Sequence, residues 1–508
     1  MDRGQLASFV VERQTPIRLV RFLSADTESS EIYSASRHAL GFYKCVANTC
    51  RYSVHRARLR GRTTRQLWES AIAHVVLAIP FLSVGIAGED TNAPRFVQRP
   101  SINLDDHFEY LEKTDTDPDA RGSPLLGILE AQHDRLWPDI ENRPPWKLTI
   151  VVWDMASGDD IMMFDVVFAV HHSIADGRST AILHAALLEE LNRCSDAPAQ
   201  LSGCILNIPG SHELVPPLEE QVNFATSWGF LARTLWRELG PAWLQGQQPP
   251  APWTGKPVTP EPCRTRLRLL AIPAVAMPGI LATCRRNQTT LTPLLHALAL
   301  AAFARRVPPN ELKALRSSTP IDLRPFISDG SQAGGSRRPF GVFVTTHSHV
   351  FDSDTITALR EGPLEGGVWR LAADLRRNMK QHVGNIPNDD IISMLRYVTD
   401  WQKFWLSKVG KPRQDTWEVS NIGSMPGGHG ENNSAADSWK IQRSTMSQGA
   451  TVSGAAVSIS VAGVTGGDVG IALGWQEGIV EAEVVDGLAG DLEAWLRRLG
   501  RGEALSSQ

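Results

Sequence analysis

The sequence predicts an α/β protein built from two subdomains of similar size, each pairing helices with a mixed sheet. Three observations predict it. Helix-period and strand-period segments interleave along the chain. Each half holds a hairpin-like pair of apolar strands. A stretch with six prolines, GQQPPAPWTGKPVTPEP over 246–262, cannot form a regular element and reads as an extended crossover. The expected organisation is therefore 1–245, the crossover 246–262, and 263–508.

In the first half, apolar residues recur at helical spacing over 31–40, 64–77, 125–136 and 180–193. KLTIVVW (147–153) and IMMFDVVFAV (161–170) read as strands, with Gly158, Asp159 and Asp160 turning between them. Residues 228–244 form a further amphipathic segment. In the second half, RTRLRLLAI (264–272) alternates like an edge strand and LTPLLHALALAAFARR (291–306) like a buried helix. Residues 318–323 and 342–350 read as strands, and 366–381 as a helix. Residues 455–461 and 469–475 pair through Gly466 and Gly467. Leu488, Leu492, Trp495, Leu496 and Leu499 line one face of a last helix. No internal repeat is visible. Helices on one side of each sheet are expected.

The bulk numbers exclude several function classes. At 508 residues the chain is too long for one core. It is 42% hydrophobic and 21% charged, with a net charge of -4. That balance offers nothing to nucleic acid or an anionic membrane surface. The six cysteines, Cys45, Cys50, Cys194, Cys204, Cys263 and Cys284, form no CxxC pair. They read as reduced, buried thiols of a cytoplasmic protein. The start, MDRGQLASFVVERQTP, lacks the apolar run of a signal peptide. Residues 71–88 carry no charged side chain, but Pro80 interrupts them. They read as a buried helix and a short strand FLSVGI, not a membrane span. The glycosylation matches at Asn287 and Asn432 carry no weight without a leader.

Chemistry concentrates in HHSIADG, His171 to Gly177, where a buried strand ends and a helix begins. A fixed imidazole with a pKa near neutral is what a general base requires. His172 and Asp176 are the core pair. His172 reads as the base, set against a hydrogen-bonded core histidine. Asp176 locks the loop or caps the helix near Arg178. Side chains alternate on extended backbone, so His171 and His172 point opposite ways, and one of them packs structurally. Gly177 leaves room for a ligand or an unusual backbone angle.

HHSIADG resembles the HHxxxDG signature of the CoA-dependent acyltransferase and peptide-condensation superfamily. RHALGFYKCV (37–46), RPPWKLTIV (143–151), STPIDLRPF (318–326) and VSNIG (419–423) resemble successive blocks of its fungal alcohol acetyltransferase branch. The DFGWG block of the plant branch is missing. The resemblance implies two chloramphenicol-acetyltransferase-like halves around a tunnel. It implies His172 as base and a structural Asp176 paired with Arg324, which is otherwise a surface arginine before Pro325. Such a bidentate pair would join the halves. Ser420 or Asn421 would donate to substrate or oxyanion beside Gly423, or the segment is a strand-end turn with Gly423 at positive φ.

The expected activity is transfer of an acyl group, foremost acetyl, from acyl-CoA to a hydroxyl or amine of a small molecule. The expected protein is a monomer with no permanently bound cofactor and no metal. Alternatives keep the fold with a carrier-bound donor or a cyclisation, or turn the scaffold into a ligand binder. A metallohydrolase would need His347 and His349 to join His172 and Asp176. Arg285–Arg286 and Arg337–Arg338 are candidate phosphate contacts or solvated pairs. No dinucleotide or P-loop motif occurs.

Overall fold

The structure is a computed structural model. It describes residues 19–22, 29–59, 61–114, 124–154, 160–210, 214–239, 250–327, 339–428 and 438–505. Gly158, Asp159, Arg337, Arg338, Asn432 and the first part of the crossover lie outside them, as do side chains of the 228–244 segment from Arg237 on.

Eleven strands share one large sheet. They are β1 (Val46–His55), β2 (Phe108–Thr114), β3 (Trp146–Asp154), β4 (Ile161–Val170), β5 (Thr265–Ile272), β6 (Ala314–Asp322), β7 (Val344–Asp352), β8 (Trp417–Pro426), β9 (Lys440–Gln448), β10 (Val457–Thr465) and β11 (Asp468–Gln476). The spatial order is β7-β6-β8-β10-β11-β9-β1-β4-β3-β2, with β5 paired to β11. Strand β9 joins the halves. It lies late in the sequence yet runs antiparallel to β1, from Lys440–Ser53 to Gln448–Val46. It meets β11 only at Arg443–Asp468 and Ser444–Val469. The sheet of the first half is thus completed by a strand from beyond the crossover.

The helices that matter for the site are α1 (Ser29–Ala39), α2 (Thr64–Ala78), α3 (Pro124–His133), α4 (Gly177–Arg193), α5 (Met277–Arg286), α6 (Leu291–Arg306), α7 (Leu364–Asn385), α8 (Trp401–Leu406) and α9 (Ala482–Gly500). Thr63 and Gln66 close a capping box on α2. Pro80 ends that helix and opens a 3-10 turn, Pro80–Ser83, so the strand expected over FLSVGI forms only as Val84–Ala87, starting three residues later. No helix among the described residues is long and apolar enough to cross a membrane.

In the second half α6, α7 and α9 bury against Trp417, Val419, Ile459 and Ile471. The first half departs from the expected one-sided cover. Phe164, Val166 and Phe168 of β4 face α2 and α4, while Val167 and Ala169 face Leu125 and Leu129 of α3. A strand apolar on both faces, as β4 is but for Asp165, needs cover on both. Helix α3 also guards the edge strand β5. Glu130 Oε1 accepts from Leu267 N at 2.9 Å and Asp134 Oδ1 from Thr265 N at 2.8 Å. Those acids satisfy backbone donors that an edge leaves open.

All six cysteines are free thiols. Cys45, Cys50 and Cys284 are buried, but Cys194, Cys204 and Cys263 are partly exposed, against the expectation that all were buried.

Candidate active site

The site assembles where β4 runs into α4. Strand β4 delivers His171 and His172 at its end, pinned by His171 N donating to Pro145 O at 2.9 Å. The two imidazoles diverge. His171 is 0% exposed, whereas His172 is only half-buried. Its ring centre lies 5.6 Å from that of Tyr43. His172 Nδ1 is buried without a hydrogen bond of normal geometry. Burial first, then the positive charge of Arg37, push the pKa of His172 down to about 4; its own carbonyl and Asp176 pull the other way. The imidazole is neutral at pH 7 and able to accept a proton.

His171 takes a structural post. Its Nδ1 accepts from Ser173 N at 3.0 Å, so the neutral ring carries its proton on Nε2, 2.9 Å from Glu89 Oε1. His38 Nε2 accepts from Trp137 N at 3.3 Å, so its proton sits on Nδ1, 2.8 Å from the same oxygen. Burial opposes a charge on Glu89, but these two donors hold its carboxyl down to about 2. His38, Glu89 and His171 have the spacing of a metal site. The nitrogens facing Glu89 are the protonated ones, so the trio is a hydrogen-bonded clamp and not a ligand set.

Asp176 does both jobs read from its position. Oδ1 caps α4 by accepting from Ser179 N at 2.8 Å. The carboxylate also receives Arg324 Nη1 at 2.9 Å, Arg324 Nη2 at 3.0 Å and Phe343 N at 2.9 Å. Burial penalises the Asp176 charge, and Arg324 with these donors more than offsets it, leaving the pKa below the ordinary carboxylate value. Arg324 is 6% exposed, so it is no surface residue.

Gly177 has an ordinary backbone angle and gives no room to a ligand, contrary to both readings of it. A Cβ there would lie 2.7 Å from Met446 Sδ and 2.9 Å from Ile422 Cγ2. The missing side chain lets α4 press against β8 and β9. Arg178 strengthens that seam by donating to Ile422 O.

The VSNIG segment sits inside β8, not at a strand end. Its register to β10 slips between Asn421 and Ser424, and Gly423 takes φ +75 at this bulge. Asn421 Oδ1 accepts from Gly423 N at 2.9 Å and Nδ2 donates to Thr292 Oγ1 at 3.0 Å. Both ends of that amide are engaged within the fold. Ser420 is 7% exposed and pairs with Ser460 across the sheet.

Residues missed by the sequence reading complete the surroundings. Tyr43 Oη donates to Gln448 Oε1 at 3.4 Å, and Gln448 Nε2 donates to Glu418 Oε1 at 2.9 Å. Arg37 stacks on Tyr43. Arg37 and Tyr43 belong to a block noted only for its resemblance; no spacing tied them to His172. Cys45 Sγ lies 3.2 Å from His133 Nδ1, a thiol-imidazole contact. Burial keeps that thiol protonated, which disqualifies it as a nucleophile.

His347 and His349 do not join HHSIADG. They face α6 and α7. Thr319 Oγ1 bridges His349 Nε2 at 3.0 Å to His296 Nε2 at 2.7 Å, and His347 stacks on His382 at 4.2 Å. A groove of about 370 Å³ opens there, lined by His347, His349, His382 and neighbours, with no residue of HHSIADG. Arg285 and Arg286 are exposed at the end of α5.

With this geometry in view, the family description "Alcohol acetyltransferase" matches residues 134–484. "Probable alcohol acetyltransferase FCK4" of Fusarium pseudograminearum is 30% identical over 479 residues, 93% of this chain and 94% of that protein. The chain belongs to the alcohol acetyltransferase family. It is an acyltransferase of small molecules by that membership. "Probable alcohol acetyltransferase crmB" of Aspergillus fumigatus is 27% identical, over 89% of this chain and 94% of that one. The fold of this acetyltransferase matches that of the TRI3 trichothecene 15-O-acetyltransferase from Fusarium sporotrichioides, with a TM-score of 0.65 at 12% identity, over 93% and 94% of the two chains. The condensation domain of the Monacolin K polyketide synthase MokA shares the fold too, with a TM-score of 0.56 at 12% identity, over 96% and 100%.

Proposed function

We propose that this acetyltransferase moves an acetyl group from acetyl-CoA to a hydroxyl or amine of a small molecule, with His172 as general base. The observation that carries the reading is the half-buried, neutral imidazole of His172, flanked by residues far more buried. His172 takes the proton of the acceptor O–H or N–H. The freed pair of electrons attacks the thioester carbonyl and gives a tetrahedral intermediate. The C–S bond then breaks, and the imidazolium returns its proton to the leaving thiolate. No covalent acyl-enzyme forms, in keeping with the protonated state of Cys45. Asp176 and Arg324 hold the loop and do not touch the reacting atoms. Ser420, whose hydroxyl is not tied up among the described residues as the Asn421 amide is, is the side chain of VSNIG that would meet the substrate.

The test is incubation of the protein with acetyl-CoA and a panel of alcohols and amines. Free CoA thiol and acetylated product, read by mass spectrometry, should appear together and vanish in His172→Ala. Thiol release that is equal in His172→Ala removes the base from this reading.

A further inference from the structure

Among the described residues Arg37 is a cation that no carboxylate pairs. Its guanidinium carbon lies 4.4 Å from the ring centre of Tyr33, 4.8 Å from that of Tyr43 and 5.8 Å from that of Trp405. The three rings surround the guanidinium at cation–π distance. The five N–H donors of arginine lie in the guanidinium plane and call for acceptors there. Among the described residues no carboxylate pairs with Arg37, and its Nε is buried without an acceptor. Two buried arginines of the fold are served by carboxylates: Arg324 by Asp176 and Arg51 by Asp165. Glu418, the acid that feels the Arg37 charge, gives its Oε1 to Gln448 instead, and burial raises its carboxyl. A guanidinium N–H buried without an acceptor is costly, and a docking anion that reaches it relieves that cost.

Position says what the anion belongs to. Arg37 and His172 flank the same ring, Tyr43, at 4.8 and 5.6 Å. A group on Arg37 is thus within one small molecule of the proposed base. The long pantetheine arm of CoA keeps its phosphates far from the thioester that His172 would serve. We propose that Arg37 and its ring box form an anion subsite, and that the acceptor is an acidic alcohol or amine whose carboxylate or phosphate docks there. The identity of the anion as an acceptor rests on the acyltransferase reading; the anion subsite does not. The positive charge of Arg37 opposes the imidazolium of His172, and the negative charge of Asp176 favours it. Docking an anion cancels that opposition and so couples acceptor binding to the readiness of the base.

The experiment measures binding first and turnover second. Benzoate is titrated at pH 7 in low-chloride buffer into wild type, Arg37→Gln and Arg37→Lys, with methyl benzoate as the neutral twin. Wild type should bind benzoate and not its ester. Arg37→Gln should bind about 10- to 100-fold more weakly, and Arg37→Lys should fall between, having charge without the planar fork. Should Arg37→Gln fail to fold, Arg37→Lys and the benzoate-ester comparison decide. No binding of benzoate to wild type, or equal binding to the folded variants, overturns the subsite. Adenosine 3′,5′-bisphosphate is the competing probe. Displacement of benzoate by it would assign the anion to CoA and overturn the acceptor proposal. In turnover, hydroxy acids should exceed their methyl esters in kcat/KM, with the preference lost in Arg37→Gln. Arg37-dependent benzoate binding without any acetyl transfer would sink the acyltransferase reading and leave the subsite standing.

Discussion

Asp176 and Arg324, 148 residues apart in sequence, meet through two hydrogen bonds of 2.9 and 3.0 Å in a setting that solvent barely reaches. The pair fixes more than itself. Asp176 caps α4 and accepts from Phe343 N, while Arg324 also donates to Asp322 Oδ1, Ser179 Oγ and Pro339 O. One ion pair thus sets the start of α4, the end of β6 and the approach to β7. His172 lies one short loop before that start.

Breaking the pair should cost stability more than chemistry. Asp176→Asn or Arg324→Ala leaves a buried charge uncompensated, with a loss of ~3–5 kcal/mol. The double variant Asp176→Asn/Arg324→Ala should lose less than the two singles together, by ~0.5–3 kcal/mol. Urea unfolding of the four proteins measures both quantities. Singles within about 0.5 kcal/mol of wild type would remove the staple.

His172→Ala should show the reverse pattern: normal melting and turnover lower by about 10²- to 10⁴-fold. The pH dependence has a definite sign. The neutral ring is the base and protonation abolishes it, so activity disappears as pH falls through the pKa, pressed down to about 4 by burial and Arg37. kcat/KM should be level from neutral pH to about 5 and fall below. An acid limb centred at the ordinary histidine value of 6.5 would contradict the burial of this ring.

The sequence was most legible where pattern and chemistry coincide. HHSIADG, between an apolar strand and an amphipathic helix, announced β4, α4 and the divergence of the two histidines. The Asp176–Arg324 contact was reachable only through a family resemblance, since nothing local links residue 176 to 324. Strand β9 was missed because KIQRSTMSQ alternates weakly: small polar residues, Ser444 and Ser447, are buried along with the apolar Ile441 and Met446. Glu89 sits in a polar turn and looks like any surface acid until folding brings His38 and His171 to one oxygen. Such long-range polar contacts leave no period for a sequence to display.

Gly177→Ala tests the seam between α4 and the strands beneath it. The new methyl would meet the flexible end of Met446 and the branched carbon of Ile422. Met446 can swing aside; Ile422, whose carbonyl is held by Arg178, cannot. The expected cost is ~1–3 kcal/mol, with part of it recovered in Gly177→Ala/Ile422→Ala. Melting temperatures of the wild type and the two variants decide. A silent Gly177→Ala would mean the seam is loose.

Acid should weaken the fold well before the carboxylates protonate. Burial holds His107, His133, His171 and His184 down to about 4, from an ordinary 6.5. Between those values the unfolded chain binds protons that the folded chain refuses. Stability from neutral burial is therefore complete above pH 6.5 and is lost as pH falls toward 4. Glu89, held near 2 by His171 and His38 against an ordinary 4.5, extends the decline to lower pH. The melting temperature should be level from pH 8 to 7 and drop steadily from about 6.5 to 4. His107 donates Nδ1 to Trp146 O at 2.8 Å and stacks on that indole at 4.1 Å. His107→Gln, which can keep a donor there but cannot titrate, should flatten the slope. A melting temperature unchanged down to pH 4.5 would show that these imidazoles are not held neutral by burial.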